Sequence, residues 1–405
     1  MNFWKKLQPG SPNLKQPQLV CFLPVLLLTL LFVTSTTQTW GQTKKSKTQP
    51  TRGPATESPT SHAKGKPEPI TVNTVEIQKV AEGVYAAIRK EPPGLMFNGN
   101  CVFIINDEDV VVVDTTITPS SAREVLAELK KLTSKPVKYV INTHWHDDHI
   151  IGNQVYREAF PGVEFIGHAS TLVDLPTIGA TNRQQLQEGA PGFVEQIRAT
   201  MANKKNLVGA DLTEEERISF TSDIEQVERY LSEIPKFQVI LPTITIQDSL
   251  TLHRGTRTIE IRHLGRGHSG ADLVVYLPKE RIAITGDLVV WPVPLVGSTS
   301  YPAEFAAALE KLVALQPTVI IPGHGQVLPD DTYPKLLIRL LTSIKEQTEA
   351  AVVRGETLEQ TRKSVNLDEF RKLIAGDSQL KNFIFRFYVS DPGITAAYQQ
   401  ASQKK

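Results

Sequence analysis

The segment His144-Trp145-His146-Asp147-Asp148-His149 places three imidazoles and two carboxylates within six residues, in a chain with nine histidines in all. Imidazole and carboxylate are ordinary ligands of zinc, and a site that keeps one coordination position open is catalytic rather than structural. A solitary histidine is usually a surface group or a satisfied core residue, an account that does not cover a cluster this dense. Alternate residues of a loop project to one side, so His144 and His146 can reach one ion while Asp148 and His149 reach another. Three later segments set a polar residue beside glycine directly after a short apolar run: Gly267-His268-Ser269, Thr285-Gly286-Asp287 and Pro322-Gly323-His324-Gly325. Glycine permits the sharp turn that brings backbone close to a buried ion. Loops at strand ends are where a rigid sheet places reactive groups.

The elements that must position these residues can be read from the pattern of apolar positions. Strands are expected over 75–89, 101–105 and 110–113, the last two joined by the turn Asn106-Asp107-Glu108-Asp109. Ser121 and Glu124 form a capping box ahead of Val125, Leu126, Leu129 and Leu132, spaced for one face of a helix. The next strand, 137–141, runs directly into the histidine-rich segment. Two helical stretches fill 181–234, and short strands return over 243–252, 258–264, 273–277 and 281–285. An amphipathic helix over 303–315 precedes a last strand at 319–321, and from Tyr333 the chain reads as helices. Two sheets covered by helices are a sensible packing of this order.

The order His-x-His-x-Asp-His, Gly-His-Ser, Gly-Asp and Pro-Gly-His resembles the metallo-β-lactamase superfamily, over roughly 75–329. The resemblance implies an α/β fold, an αββα four-layer sandwich, here with a helical insertion at about 181–234 and a C-terminal helical segment at 331–405. It also implies roles. His144, His146 and His268 would bind a first metal; Asp148, His149 and His324 a second; Asp287 would bridge them. Two zinc ions are expected, with iron or manganese as other divalent choices. Two ions about 3.5–4 Å apart lower the pKa of a bridging water and polarise a scissile carbonyl. Asp148 could orient that nucleophile or take its proton. Of the remaining histidines, His62 lies in a linker, His168 at a strand end and His253 in a hairpin. His263 is the one rival to His268, but lacks the Gly-His-Ser context. Ile151 departs from the family's usual second glycine.

Asp287 also narrows the chemistry. Within the family that the chain resembles, zinc β-lactamases place cysteine or serine there, whereas glyoxalase II-like thioesterases and lactonases carry the bridging aspartate. Val290 stands where relatives use lysine or tyrosine to hold substrate, and with Trp291 it belongs to an apolar stretch, 289–294. The expected reaction is therefore hydrolysis of an ester, lactone, thioester or amide of a small molecule, with uncharged substrates bearing an apolar acyl group favoured. β-Lactam hydrolysis is the first alternative and a metal-dependent oxidoreductase of the same fold the second. Flavodiiron relatives, however, carry glutamate at the position of His146 and append a flavin domain.

The bulk composition fits such an enzyme. With 44 basic and 43 acidic residues, the chain lacks the positive surplus of a nucleic-acid-binding protein. Lys5, Lys6 and Lys15 precede an apolar run at 19–33, followed by the small-residue exit Thr39-Trp40-Gly41, the layout of an export signal over 1–41. A secreted or periplasmic location follows, with an uncleaved membrane anchor as the other use of the segment. Residues 42–73 are rich in Lys, Thr, Ser, Pro and Gln and read as a disordered linker ahead of a catalytic domain at 74–330. Removing the signal removes Cys21 and leaves Cys101 as the single thiol, so no internal disulfide is expected.

Overall fold

The run at 75–89, read from sequence as one strand, is a hairpin in the computed structural model, which describes residues 72–89, 92–95, 99–297 and 299–403. Strand β1 (Glu76–Ala81) pairs antiparallel with β2 (Val84–Ile88). Between them Gly83 holds a φ of +71°, a conformation in which a side chain would strain, and an added Cβ would lie 2.6 Å from the Ile105 carbonyl oxygen. The segment expected to be an export signal and the expected linker through residue 71 lie outside the described residues. Val72 and Asn73, counted with the linker, are instead buried. Asn73 Oδ1 accepts from Ser222 Oγ at 3.0 Å, so the folded part starts slightly earlier than the composition suggests.

The first sheet continues through β3 (Cys101–Ile105), β4 (Val110–Val113), β5 (Val137–Ile141), β6 (Glu164–His168) and β7 (Ile244–Ile246), side by side in chain order. Pairing is antiparallel as far as β4 and parallel from β4 to β7. The second sheet runs β12-β11-β10-β9-β8 from edge to edge, comprising β8 (Ser249–Arg254), β9 (Arg257–His263), β10 (Leu273–Leu277), β11 (Ile282–Ile284) and β12 (Val319–Ile321). The expected strand at 243–252 is thus two strands, one in each sheet. The split falls at Gln247-Asp248, and the Asp248 carbonyl accepts from His263 N at 2.8 Å.

The central strands read as unbroken apolar runs because both of their faces are covered. In β3, Val102 and Ile104 enter the core between the sheets, while Cys101 and Phe103 face the outer helices. In β10, Leu273, Val275 and Leu277 point to the same inter-sheet core, and Val274 and Tyr276 point outward. The helix Pro119–Leu132 covers the first sheet with Ala122, Val125, Leu126 and Leu129. Its cap is Thr118, whose side chain accepts from Ser121 N at 3.1 Å. The expected capping role of Ser121 therefore moves three residues earlier, and Pro119 suits the first helical position because its missing N–H would have no partner there. The second sheet is covered by Pro302–Ala314, through Phe305, Leu309 and Leu312, and by Thr332–Val353, through Leu337, Leu340 and Ile344. The result is the αββα sandwich. Helices from the C-terminal segment, with Leu380, Ile384, Phe385 and Ile394, extend its last layer.

The helical insertion begins earlier than expected. Thr171–Asp174, a wide turn at Leu175–Gly179 and Ala180–Ala202 follow one another without a break. Glu214–Glu233 then starts on a capping box between Thr213 and Glu216. Strands β9, β11 and β12 run in the same direction, so the loops that follow them open at one edge of the second sheet. The parallel strands β4 and β5 end together in the first sheet. The candidate ligands lie on the loops after these ends.

Candidate metal centre

Among the described residues, two groups of side chains bring ligand atoms together. One is His144, His146, His268 and Asp287; the other is Asp148, His149, His324 and Asp287. Within each group the atoms lie within 4.8 Å of one another. In the first, His146 Nδ1 faces His144 Nε2 at 3.0 Å and His268 Nε2 at 2.9 Å. In the second, His324 Nε2 stands 3.3 Å from His149 Nε2 and 3.1 Å from Asp148 Oδ2. Asp287 belongs to both. Its Oδ2 lies 3.4 Å from His268 and 3.9 Å from His144, while Oδ1 lies 3.3 Å from His149 and 3.4 Å from His324.

The outward ring nitrogens of the first group all find partners. His144 Nδ1 meets Thr143 Oγ1 at 3.1 Å, His146 Nε2 meets Thr299 Oγ1 at 3.3 Å, and His268 Nδ1 meets the Leu295 carbonyl at 3.2 Å. In the second group, His149 Nδ1 meets Asp114 Oδ2 at 2.8 Å. Fixing the outer nitrogen of each ring fixes which nitrogen turns inward and where it points. Asp114 was not singled out from the sequence. It follows four consecutive valines, and a charge directly after so apolar a strand is the signal that was there to be used. It also accepts from Thr143 N at 2.8 Å and Thr143 Oγ1 at 2.7 Å, and so ties the two halves of the histidine-rich loop to the end of β4.

Asn100 was likewise missed. Its Nδ2 donates to the Pro322 and Gly325 carbonyls, both at 2.9 Å, and its backbone N donates to Gly323 O at 2.7 Å. The loop that carries His324 is thereby pinned to the first sheet. His263 is not part of the centre: its Nδ1 meets the Asp272 carbonyl at 2.9 Å and its ring lies against His168, centroids 4.4 Å apart. His253 pairs with Thr258 across the β8–β9 hairpin. Ile151 needs no glycine-like conformation. Its backbone is right-handed helical, and its side chain is buried in a cluster with Trp145, Ile150, Leu175 and Ala271. Gly152 is the position that must stay bare, since an added Cβ would meet Thr115 O at 1.8 Å.

The electrostatics of the buried cluster call for positive charge. Burial opposes ionisation of Asp287, yet the His324, His149 and His268 imidazoles hold its carboxyl well below the usual range. Burial likewise works against Asp148, and His149 and His324 outweigh it. His324 is raised to about 9, because Asp287 and Asp148 more than offset the cost of burying its charge. Burial and the neighbouring His268 push His146 down to about 3, so its ring is neutral. Asp287 Oδ1, deeply buried, accepts no hydrogen bond. An acceptor left bare, among ring nitrogens too crowded to satisfy one another, suits cations better than protons. The residues fit a pair of divalent ions with nitrogen and oxygen ligands.

A cavity of about 480 Å³ opens beside His324. Trp291 and Pro292 line it; Val290, expected at the substrate pocket with Trp291, does not. Val290 is instead 2% exposed and bridges to His324 in strand-like pairing, so it continues the sheet. Nor is the cavity apolar throughout: Arg89, Lys381, Glu76, Glu215 and Gln226 share its wall.

A linear primary-alkylsulfatase from a Pseudomonas species is 25% identical over 273 residues, which is 64% of this chain and 48% of that protein. A hydroxyacylglutathione hydrolase from Gloeobacter violaceus is 41% identical over 64 residues, 16% of this chain and 25% of that protein. The chain therefore spans about half, or less, of the length of these relatives. Among solved structures, a metallo-beta-lactamase from Pontibacter korlensis aligns with a TM-score of 0.44 at 18% identity, over 66% of this chain and 99% of that one. The sequence pattern of the Metallo-beta-lactamase superfamily matches residues 95–324, more than half of the sequence and all seven clustered ligand candidates, and the chain belongs to that superfamily.

Proposed function

We propose that this chain is an exported hydrolase with a dinuclear zinc centre. His144, His146 and His268 would hold one ion, Asp148, His149 and His324 would hold the other, and Asp287 would be shared between them. The observation that carries this reading is the division of Asp287, one carboxylate oxygen toward each group of imidazoles. Bound there, the ions would make water acidic enough to supply hydroxide at neutral pH and would polarise the bond to be cleaved. Asp148, with 19% of its side chain exposed against 2% for Asp287, is the carboxylate that reaches toward solvent, and it would orient the attacking water or take its proton. Trp291 offers a flat apolar wall beside His324, while Arg89 and Lys381 offer cations to a polar or anionic part of the substrate. The mixed wall replaces the apolar-acyl preference read from Val290.

The substrate is an ester, lactone, thioester or amide of a small molecule. The hydroxyacylglutathione hydrolase relative favours a thioester, and the alkylsulfatase relative, matching 64% of this chain, adds a sulfate ester as a second class. The test is a screen of purified, metal-quantified protein against p-nitrophenyl esters, lactones, a thioester, a primary alkyl sulfate and a β-lactam. At least one of the first four classes should exceed the β-lactam in kcat/KM, the quantity that reports differential transition-state binding. A β-lactam cleaved about tenfold more efficiently than all the others would overturn the assignment.

Export rests on the basic, apolar and small-residue layout of 1–41. Mature protein recovered outside the cytoplasm should begin near Gln42 by N-terminal sequencing. Intact Met1 in a membrane fraction would show that the segment is kept as an anchor.

A further inference from the structure

Asp147, between the two pairs of ligands in the histidine-rich segment, does not join either metal group. Arg183 grips its carboxylate with both prongs of the guanidinium, Nε to Oδ2 at 2.9 Å and Nη2 to Oδ1 at 2.5 Å, and the Tyr230 hydroxyl donates to Oδ2 at 3.0 Å. The contact is largely shielded from water, with 15% of the Arg183 side chain and 16% of Asp147 exposed. Arg183 stands on Ala180–Ala202 and Tyr230 on Glu214–Glu233, so both long helices of the insertion converge on this one carboxylate.

The place of Asp147 in the chain gives the contact its consequence. It opens the four-residue helix Asp147–Ile150, whose second and third residues are Asp148 and His149, and that helix has no side-chain cap. A single turn does not hold its own shape. What fixes it must come from outside: Asp114 secures the His149 ring from the sheet, and Arg183 with Tyr230 secures the first residue from the insertion. A planar guanidinium held by two parallel bonds sets direction as well as distance, which an ammonium at the same place cannot do.

We propose that Arg183 and Tyr230 are positioning residues, the clamp through which the helical insertion sets the second half-site, Asp148 and His149. The proposal rests on the ligand assignment above. It is tested on the full chain, stripped of metal and titrated with zinc against a competing chelator, alongside the thermal midpoint of the metal-free protein. The variants are Arg183→Met, Arg183→Lys and Tyr230→Phe, with Arg198→Met as control. Arg198 pairs with Glu228 at 2.7 Å and joins the same two helices, without touching Asp147.

Arg183→Met should weaken one of the two zinc affinities by about tenfold or more, the usual scale for losing a group that orients ligands. The other affinity should stay as in the unaltered protein. Arg183→Lys should recover part of the loss, Tyr230→Phe should cost less than Arg183→Met, and Arg198→Met should leave both affinities unchanged. A merely structural role would lower the midpoint of metal-free Arg183→Met while both zinc affinities stay put, and that result overturns the clamp. So does an equal zinc loss in Arg198→Met. If Arg183→Met does not fold, Tyr230→Phe decides, with unaltered zinc affinity counting against the proposal. If the unaltered chain holds one ion, the dinuclear reading fails by itself. The clamp is then judged on that ion, an unchanged affinity in Arg183→Met overturning it.

Discussion

Asp287→Asn is expected to leave less than one zinc ion per chain and to lower kcat/KM on the best substrate by about a thousandfold or more, beyond the loss seen when a single transition-state donor is removed elsewhere. The substitution preserves shape and removes charge, so it isolates the bridge. At present one oxygen serves His268 and His144, and the other serves His149 and His324. An amide offers one acceptor and one donor. Whichever way it turns, one group of imidazoles faces an N–H where a lone pair should be. The loss also has a readout without metal. In the metal-free protein burial pushes His324 down, but Asp287 and Asp148 together outweigh it and raise the ring to about 9, Asp287 being the larger contributor. In the Asp287→Asn protein the His324 ring should titrate markedly lower, which NMR of the imidazole protons can follow. A folded Asp287→Asn protein with two zinc ions and kcat/KM within about tenfold of the parent would refute the bridging role.

The candidate ligands that the fold gathers into two groups were legible in the sequence because each stands in a short motif directly after a buried strand. Such motifs survive reading without coordinates: the strand is apolar, the glycine marks the turn, and the imidazole or carboxylate has no packing reason to be there. The residues that orient them were less legible. Asp114 acts on His149 across 35 positions of sequence, and Asn100 acts on the His324 loop across more than two hundred, so no local spacing announces either one. Asp147 was visible but ambiguous. A carboxylate among histidines reads as a ligand until the partners of its side chain, Arg183 and Tyr230, are known to lie in the insertion. Val290 carries a related ambiguity. A valine beside a metal loop can line a pocket or extend a sheet, and pairing with His324 decides for the sheet. The hairpin at Gly83 and the division of 243–252 between sheets show the same limit from the side of the fold. The two-residue links Glu82-Gly83 and Gln247-Asp248 are too short to break the strand-like pattern on either side of them, so each pair reads as one longer strand.

Gly323→Ala is expected to cost both stability and metal, through a single methyl group. A Cβ at this position would stand 2.0 Å from Asp287 Oδ1, 2.7 Å from the Gly286 carbonyl carbon and 2.9 Å from Asp287 N. Two of those atoms are backbone, and the third belongs to the carboxylate proposed to bridge the two groups. The loop cannot simply retreat. Gly323 N donates to Gly286 O at 2.9 Å and Val289 O at 3.0 Å, while Gly323 O accepts from Asn100 N at 2.7 Å, so it is held from both sheets. Overpacking of this kind costs about 1–3 kcal/mol, and occasionally more where the contacts are rigid. For a domain of this size each kcal/mol lowers the thermal midpoint by roughly 2–4 °C, so a fall of roughly 2–12 °C is expected. Relief can come only from moving Asp287, and a carboxylate displaced even slightly no longer reaches both groups of imidazoles; zinc content should fall together with the midpoint. Gly162→Ala is the matched control, because an added Cβ there meets nothing within 4 Å, and its midpoint and zinc content should match the parent. If Gly323→Ala matched the parent in both as well, the tight seating of Asp287 against this loop would be wrong, and with it the account of how the two sheets hold the bridge in place.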